Sequence, residues 1–143
     1  QKIADYVVLF DQDSLPMPGM VMQLLDVAES KRAMGEKVAV IGPRFLDERN
    51  NSQHSFLRVN LFNVDKLQCD QNEKEVVSEV IISSGSLIPM STLDDIGGMA
   101  EQLFIDQVDV EWCLRARAHG YVAYGVCSAV MYHSLGEEPI NLL

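Results

Sequence analysis

Two aspartates near the start of the chain have a spacing that suits a bound cation. Asp11 and Asp13 directly follow the apolar run 6–10, which is typical of a strand buried on both faces of a sheet. Ligands of open α/β sheets collect at the carboxyl ends of strands. Paired carboxylates there suit Mg²⁺ or Mn²⁺, which prefer oxygen ligands and share them with substrate phosphates. The alternative is that the two side chains only cap the next helix or form an Asx turn.

A second group of acidic residues lies at the start of a predicted helix. Residues 107–118 are helix-forming, and Asp106 is a suitable N-cap. Asp109 and Glu111 fall in the first turn of this helix. Acidic residues in a first helical turn are common because the helix dipole favours them.

Several further side chains could bind a substrate, and each also has a structural explanation. Glu111 and Arg115 are four residues apart, which fits an ion pair on one helix face. Trp112 is more simply a core residue than a ligand contact, since large aromatic side chains are mostly buried. His133 follows an apolar strand, and a lone histidine is more often structural or on the surface than a ligand.

Composition excludes several classes of function. The 11 Lys and Arg against 21 Asp and Glu give a net charge of −10, and no basic stripe is present, so binding to DNA or RNA phosphates is excluded. No apolar run approaches the roughly 20 residues that span a membrane. The 143 residues, 48% of them apolar, suit a single globular domain over 1–143. The three cysteines (Cys69, Cys113 and Cys127) are odd in number and widely spaced, which predicts neither a disulfide framework nor a zinc site and indicates a reducing compartment.

The elements that must position these residues alternate between strand and helix. The strand 6–10 is followed by a predicted helix over 19–34, ended by Gly35, and by a short strand over 38–41. This order predicts an α/β sheet. Farther along, the pattern predicts a strand or hairpin over 56–64, a strand over 75–83, a helical turn over 91–96, and strands over 121–126 and 129–132.

Two enzyme families place aspartates in this way, and the first is the haloacid-dehalogenase-like phosphatases. The segment 10–15 resembles their nucleophile motif, with Asp11 as nucleophile, and the strand that ends at Ser83 resembles their second motif. Their third motif needs a Lys ahead of an acidic pair. Asp94 and Asp95 could be that pair, but no Lys occurs after Lys74. Without this cation, a main stabiliser of the transferred phosphoryl group is missing.

A larger part of the chain resembles the family 2 glycosyltransferases with the GT-A fold, and in particular their rhamnosyltransferase-like branch. The segment 5–14 resembles that branch's strand and DXD motif, and 83–88 resembles its acceptor-side segment. The most specific block is Ile96-Gly97-Gly98 followed by 103–115 and by Gly120-Tyr121, with His133-Ser134-Leu135-Gly136 at the expected distance.

The resemblance implies a catalytic apparatus. Asp11, Asp13 and His133 would reach a Mg²⁺ or Mn²⁺ ion and the nucleotide diphosphate. Asp109 matches the catalytic base, the second residue of the family's usual Glu-Asp pair, although Val108 stands here in place of the Glu. The implied reaction is a single displacement with inversion. The residues implied in substrate binding are Ser84, Gly85, Ser86, Asp106, Glu111, Trp112 and Arg115.

The resemblance also implies partners and a location. The donor would be dTDP-rhamnose or a UDP-sugar, and the acceptor a glycan or a lipid-linked sugar, in the cytoplasm or peripherally at the inner membrane face. The chain would be the later part of a GT-A (Rossmann-like) domain, a mixed sheet flanked by helices, without the N-terminal nucleotide-binding part. The chain alone would then be inactive, and an exposed sheet edge would favour a homo-oligomer. A non-catalytic binding module with a degenerate transferase fold is the third hypothesis.

Overall fold

The structure, a computed structural model, describes residues 3–49, 52–54, 56–60, 62–103 and 107–133. Their helices and strands are, in chain order, β1 (Tyr6–Val8), β2 (Ser14–Pro16), α1 (Met20–Ala33), β3 (Val38–Leu46), β4 (Phe56–Val59), β5 (Val64–Leu67), β6 (Glu75–Val77), β7 (Leu87–Pro89), α2 (Met90–Ile96), a 3₁₀ turn (Glu101–Leu103), α3 (Val108–Ala118) and β8 (Val122–His133). None of the helices within these ranges is long and apolar enough to cross a membrane.

A mixed sheet in the order β1-β7-β3-β8-β2 forms the centre of the fold. β3 and β8 run parallel, and β7 and β2 flank them antiparallel. β6 pairs with the first half of β8, and β2 pairs with its last three residues. The predicted α/β class is confirmed in this form, a mixed sheet with three helices.

The long strands β3 and β8 differ from their predicted lengths. β3 was expected over 38–41, and it continues through Pro43 to Leu46. The two strands expected at 121–126 and 129–132 are one strand, β8. Pro43 pairs with Val126 but Arg44 pairs with Val130, so three residues of β8 form a bulge there. Proline has no backbone N–H for the ladder, which fits a break in register at this point.

The first strand was expected to be buried on both faces, and this expectation is wrong. β1 is half-buried, lies at the edge of the sheet, and pairs with β7. Phe10, which follows it, is 45% exposed. Apolar runs of this length do not distinguish an edge strand from a central strand, because the pattern does not record the neighbours of a strand.

The helices cover the two faces of the sheet. One core cluster packs α1 against the sheet, with Leu24 and Ala28 fully buried, and the other packs α2 and α3 through Ile96 and Trp112. The predicted helix 19–34 is α1, and the predicted turn 91–96 is α2. The predicted strand over 75–83 is shorter, because only Glu75–Val77 pair with β8.

A hairpin of β4 and β5 packs on the same side as α3. The pattern over 56–64 left a strand or a hairpin open, and the hairpin that forms extends to Leu67. The ring of Phe56 lies directly on the backbone of Gly125 in β8. A Cβ atom on Gly125 would be 2.4 Å from Phe56 Cε1, so this contact requires glycine.

The cysteine prediction is wrong for two of the three residues. Cys69, after β5, is bonded to Cys127 in the bulge of β8, and Cys113 is free and buried. The two partners are 58 residues apart in sequence. Spacing could not reveal this pair, because only the packing of the hairpin side of the molecule against β8 brings the sulfurs together.

Candidate functional site

The loop that carries Asp11 is held to the turn 83–86 by paired backbone hydrogen bonds. The Gly85 N–H donates to Leu9 O at 2.6 Å, and the Leu9 N–H donates to Ser86 O at 3.1 Å. Gly85 has φ +76°, and an added Cβ would be 2.8–2.9 Å from Met131 and Pro43. The left-handed backbone and the close packing both require glycine here.

A buried hydroxyl completes the connection between the loop and the turn. Ser84 Oγ accepts the Asp11 N–H at 3.1 Å and lies 2.7 Å from Ser14 Oγ. Ser86 Oγ donates to Ser83 O at 2.6 Å. Ser84 and Ser86 are each 1% exposed.

These contacts give Ser84, Gly85 and Ser86 structural roles, and the substrate-binding role expected for them stays a prediction. The two buried serines satisfy groups inside the protein, and the glycine lets the turn pack closely. All three residues therefore help to position the aspartate loop. Ser14 also belongs to this arrangement, and only its place directly after Asp13 could have indicated it.

The predicted base lies against the same turn. Asp109 is half-buried in the first turn of α3, and its Oδ2 accepts the Ser83 N–H at 3.0 Å. The residue before α3 is Gln107, with a left-handed φ of 63°. Asp106, expected as N-cap and substrate ligand, lies outside the described residues. The fold thus brings together three segments that are far apart in sequence, namely 9–14, 83–86 and the start of α3.

The acidic pair that the phosphatase hypothesis requires lies elsewhere. Asp95 is at the end of α2, and its Oδ2 accepts the Tyr121 hydroxyl at 2.6 Å. Tyr121 immediately precedes β8, whereas the loop that carries Asp11 adjoins the last three residues of that 12-residue strand. At about 3.3 Å per residue, the length of β8 separates the two places. Asp94 and Asp95 therefore do not form a site with Asp11.

The predicted metal ligands have the oxygen chemistry that Mg²⁺ and Mn²⁺ prefer. Asp11 and Asp13 are both exposed beside the Ser14 hydroxyl. The backbone of His133 pairs with Ser14, so β8 ends next to this loop. Across the described ranges, no three His, Cys, Asp or Glu side chains are grouped in a way that could enclose a metal. Two accessible carboxylates instead fit a cation that substrate phosphates and water would complete.

The remaining predicted ligands bind other parts of the protein. Arg115 forms a two-point ion pair with Glu111 and also reaches the backbone just after α2. This hydrogen bonding lowers the pKa of Glu111 and raises the pKa of Arg115. Trp112 is 1% exposed, so it is a core residue and not a sugar platform. Glu111 and Arg115 thus have partners within the protein while they also border the surface, and the substrate-binding role expected for these two side chains stays a prediction.

The free cysteine lies one helical turn from the predicted base but has no nucleophilic character. Cys113 Sγ is 3.5 Å from the Ile81 N–H, on the inner side of α3. Burial raises the pKa of this thiol to about 11, and the nearby Asp109 carboxylate also raises it. A buried neutral thiol is inert and serves packing.

The outer side of α3 borders an open groove. Its lining combines apolar and polar side chains from Leu103, Gln107, Val110, Glu111, Leu114 and Arg115. Leu103 and Leu114 are 40% and 42% exposed. Asp109 is not among the lining residues, since its carboxylate faces the turn 83–86 on the other side of the helix.

Comparison with known proteins identifies a family. A family model described as "Glycosyltransferase like family 2" matches residues 2–139. The dTDP-rhamnosyl transferase RfbF of Shigella flexneri is 28% identical over 143 residues, which cover 99% of this chain and 47% of RfbF. The chain thus spans about half the length of this curated relative.

A solved structure has a similar fold. A197 from STIV superposes with a TM-score of 0.54 at 14% sequence identity, over 93% of this chain and 59% of that one. At this identity the likeness concerns the fold alone.

Proposed function

Since this chain belongs to glycosyltransferase-like family 2, we propose that its full-length protein is an inverting, metal-dependent glycosyltransferase. The observation that carries the proposal is the contact between Asp109 Oδ2 and the Ser83 N–H. Through this contact the helix with the proposed base adjoins the turn that anchors the Asp11 loop. Base and diphosphate ligands on adjacent segments are what a single displacement requires, because both reactants must be held together.

In the proposed reaction, the start of α3 acts on the acceptor, and the aspartate loop acts on the donor diphosphate. Asp109 takes the proton of an acceptor hydroxyl as that oxygen bonds to the anomeric carbon of the donor. The bond from this carbon to the diphosphate oxygen breaks at the same time, and the configuration is inverted. Asp11 and Asp13, with His133 at the end of β8, would hold Mg²⁺ or Mn²⁺, which offsets the charge of the departing diphosphate.

We further propose a nucleotide-linked deoxysugar such as dTDP-rhamnose as donor, on the likeness to RfbF, with a UDP-sugar as the alternative. The acceptor is a glycan or a lipid-linked sugar.

The first prediction concerns the base. In the full-length protein, Asp109→Asn should lower kcat for sugar transfer by about 10²–10⁴-fold, because general-base catalysis contributes on this order. The measurement is Mn²⁺-dependent transfer or hydrolysis of dTDP-rhamnose and UDP-sugars, with the anomeric configuration of the product determined by NMR.

Asp95→Asn is the matched control, since it changes a carboxylate bonded to Tyr121 at the opposite end of β8. This control should keep transfer activity. Equal losses in the two variants would contradict the assignment of Asp109. A folded full-length protein that binds neither donor nor metal would indicate a non-catalytic binding module instead.

A further inference from the structure

Three consecutive backbone carbonyls, beginning at the last residue of α2, accept hydrogen bonds from α3. Arg115 Nη1 donates to Ile96 O at 2.6 Å, and Arg115 Nη2 donates to Gly98 O at 2.8 Å. Between them, Trp112 Nε1 donates to Gly97 O at 3.0 Å. Carbonyls at the end of a helix have no partner within that helix. The turn 96–98 is therefore bonded to α3 at every one of its carbonyls.

The two side chains that donate these hydrogen bonds, Trp112 and Arg115, are themselves held in one orientation. Glu111 Oε1 accepts Arg115 Nε at 2.7 Å, and Oε2 accepts Nη2 at 2.9 Å. A planar guanidinium held at two edges keeps one orientation, which a lysine ammonium cannot reproduce. The ring of Trp112 is held by the core, where it is 1% exposed. We call Glu111, Trp112 and Arg115 the carbonyl clamp.

The clamp lies on the same helix as the proposed base. Trp112 is three residues after Asp109, which places the two side chains on neighbouring positions of one helical face. Asp109 in turn contacts the Ser83 N–H. A rotation of α3 that moved this carboxylate would have to break the bonds to Ile96, Gly97 and Gly98.

We propose that Arg115 is a positioning residue for sugar transfer, which acts by fixing the rotation of α3 so that Asp109 stays at the turn 83–86. The catalytic consequence rests on the proposed function, whereas the positioning is a property of this chain by itself. The block 96–98 and 103–115, which carries the family resemblance, contains both sides of the clamp. The hydrogen bonds of the clamp give a physical reason for the presence of these two segments together.

Amide hydrogen exchange of the 143-residue chain tests the positioning. Arg115→Met should speed exchange at the Ser83 amide by about tenfold, since a hydrogen bond to a charged group is worth at least that factor. Arg117→Met is the matched control. Arg117 lies two residues farther on α3 and pairs with Glu79 at 2.6 Å, but its side chain is 57% exposed. The control should leave Ser83 exchange within about twofold of wild type.

Milder variants keep the test decisive if Arg115→Met does not fold. Glu111→Gln removes one charge that orients the guanidinium, and Trp112→Phe keeps a ring but removes one donor. Each should speed Ser83 exchange in the same direction by a smaller factor. Equal exchange at Ser83 in wild type and in folded clamp variants would overturn the proposal.

Kinetics of the full-length protein test the consequence. Arg115→Met should lower kcat by about 100-fold with donor KM nearly unchanged, because a misplaced catalytic group slows the chemical step more than binding. Arg115→Lys should not restore kcat, and Arg117→Met should retain it. A rise in donor KM with kcat unchanged would show that Arg115 contacts substrate. If wild type transfers no sugar, the proposed function fails, while Ser83 exchange still decides the positioning.

Discussion

At the scale of single residues, Ser84 shows how a buried hydroxyl organises the site. Its Oγ accepts the Asp11 N–H and shares a hydrogen bond with Ser14, so that one atom connects the turn to both ends of the aspartate loop. A buried polar group that loses its partner has a desolvation cost, which keeps such a group in place. Position in the fold thus gives this serine a role that its residue type does not reveal.

A side chain at position 85 should destabilise the fold. Gly85→Ala should lower the free energy of unfolding by about 2–4 kcal/mol, since the new methyl group meets Met131 and Pro43 and the positive φ disfavours alanine. Denaturant unfolding measures the loss. Gly98→Ala is the control, because no heavy atom lies within 4 Å of its added Cβ. A similar loss in both variants would show that packing around Gly85 is not the cause.

At the scale of elements, α3 serves two neighbours at once. Its first turn reaches the turn 83–86 through Asp109, and its later residues hold the turn after α2 through Arg115. Tyr121 makes a second connection to α2, from the start of β8 to Asp95. This hydrogen bond to a carboxylate raises the pKa of Tyr121 to about 12.

Tyr121 therefore predicts a pH dependence. Because its folded pKa lies above the ordinary value of 10.0, its contribution to stability is full below pH 10 and is lost as pH rises from 10 towards about 12. Tyr121→Phe removes the hydroxyl but keeps the ring, over which Lys37 Nζ lies at 4.4 Å.

Urea unfolding of the two proteins between pH 8 and pH 11.5 provides the measurement. The difference in midpoint between wild type and Tyr121→Phe should shrink above pH 10. A constant difference over this range would contradict the role of the Tyr121–Asp95 bond.

At the scale of the whole molecule, the end of β8 connects the proposed site to the rest of the fold. Its last three residues pair with β2, directly after Asp13, and its bulge carries the disulfide to Cys69. Pairs far apart in sequence therefore meet along one strand. The hairpin side is thus connected to β8 by the disulfide, and the aspartate loop is connected to it by the pairing of β2.

The disulfide between Cys69 and Cys127 should stabilise the folded protein. Reduction, or Cys69→Ser, should lower the free energy of unfolding by about 2–4 kcal/mol, because the cross-link restricts the unfolded chain between residues 58 apart. Unfolding with and without dithiothreitol measures the effect. The Cys69→Ser protein serves as control, since its stability should not respond to the reductant. Equal stability of oxidised and reduced wild type would contradict this contribution.

Features that depend on neighbouring residues along the chain could be predicted from the amino-acid pattern. The periodicity of 19–34 and the glycine that follows it predicted α1, and the pattern over 56–64 predicted a strand or hairpin, of which the structure forms the hairpin. The strand-and-acid pattern located Asp11 and Asp13, because strand, turn and helix start each have a short local signature.

Contacts between residues that are far apart in sequence depend on the tertiary fold and could not be predicted from local patterns. Ser84 and Asp11 are 73 residues apart, and Cys69 and Cys127 are 58 apart. Arg115 turned out to bind backbone carbonyls 17 and 19 residues earlier. A local pattern reports that a side chain is buried or polar, but not which group will face it. That choice depends on the order and register of the strands, which place segments from across the chain side by side.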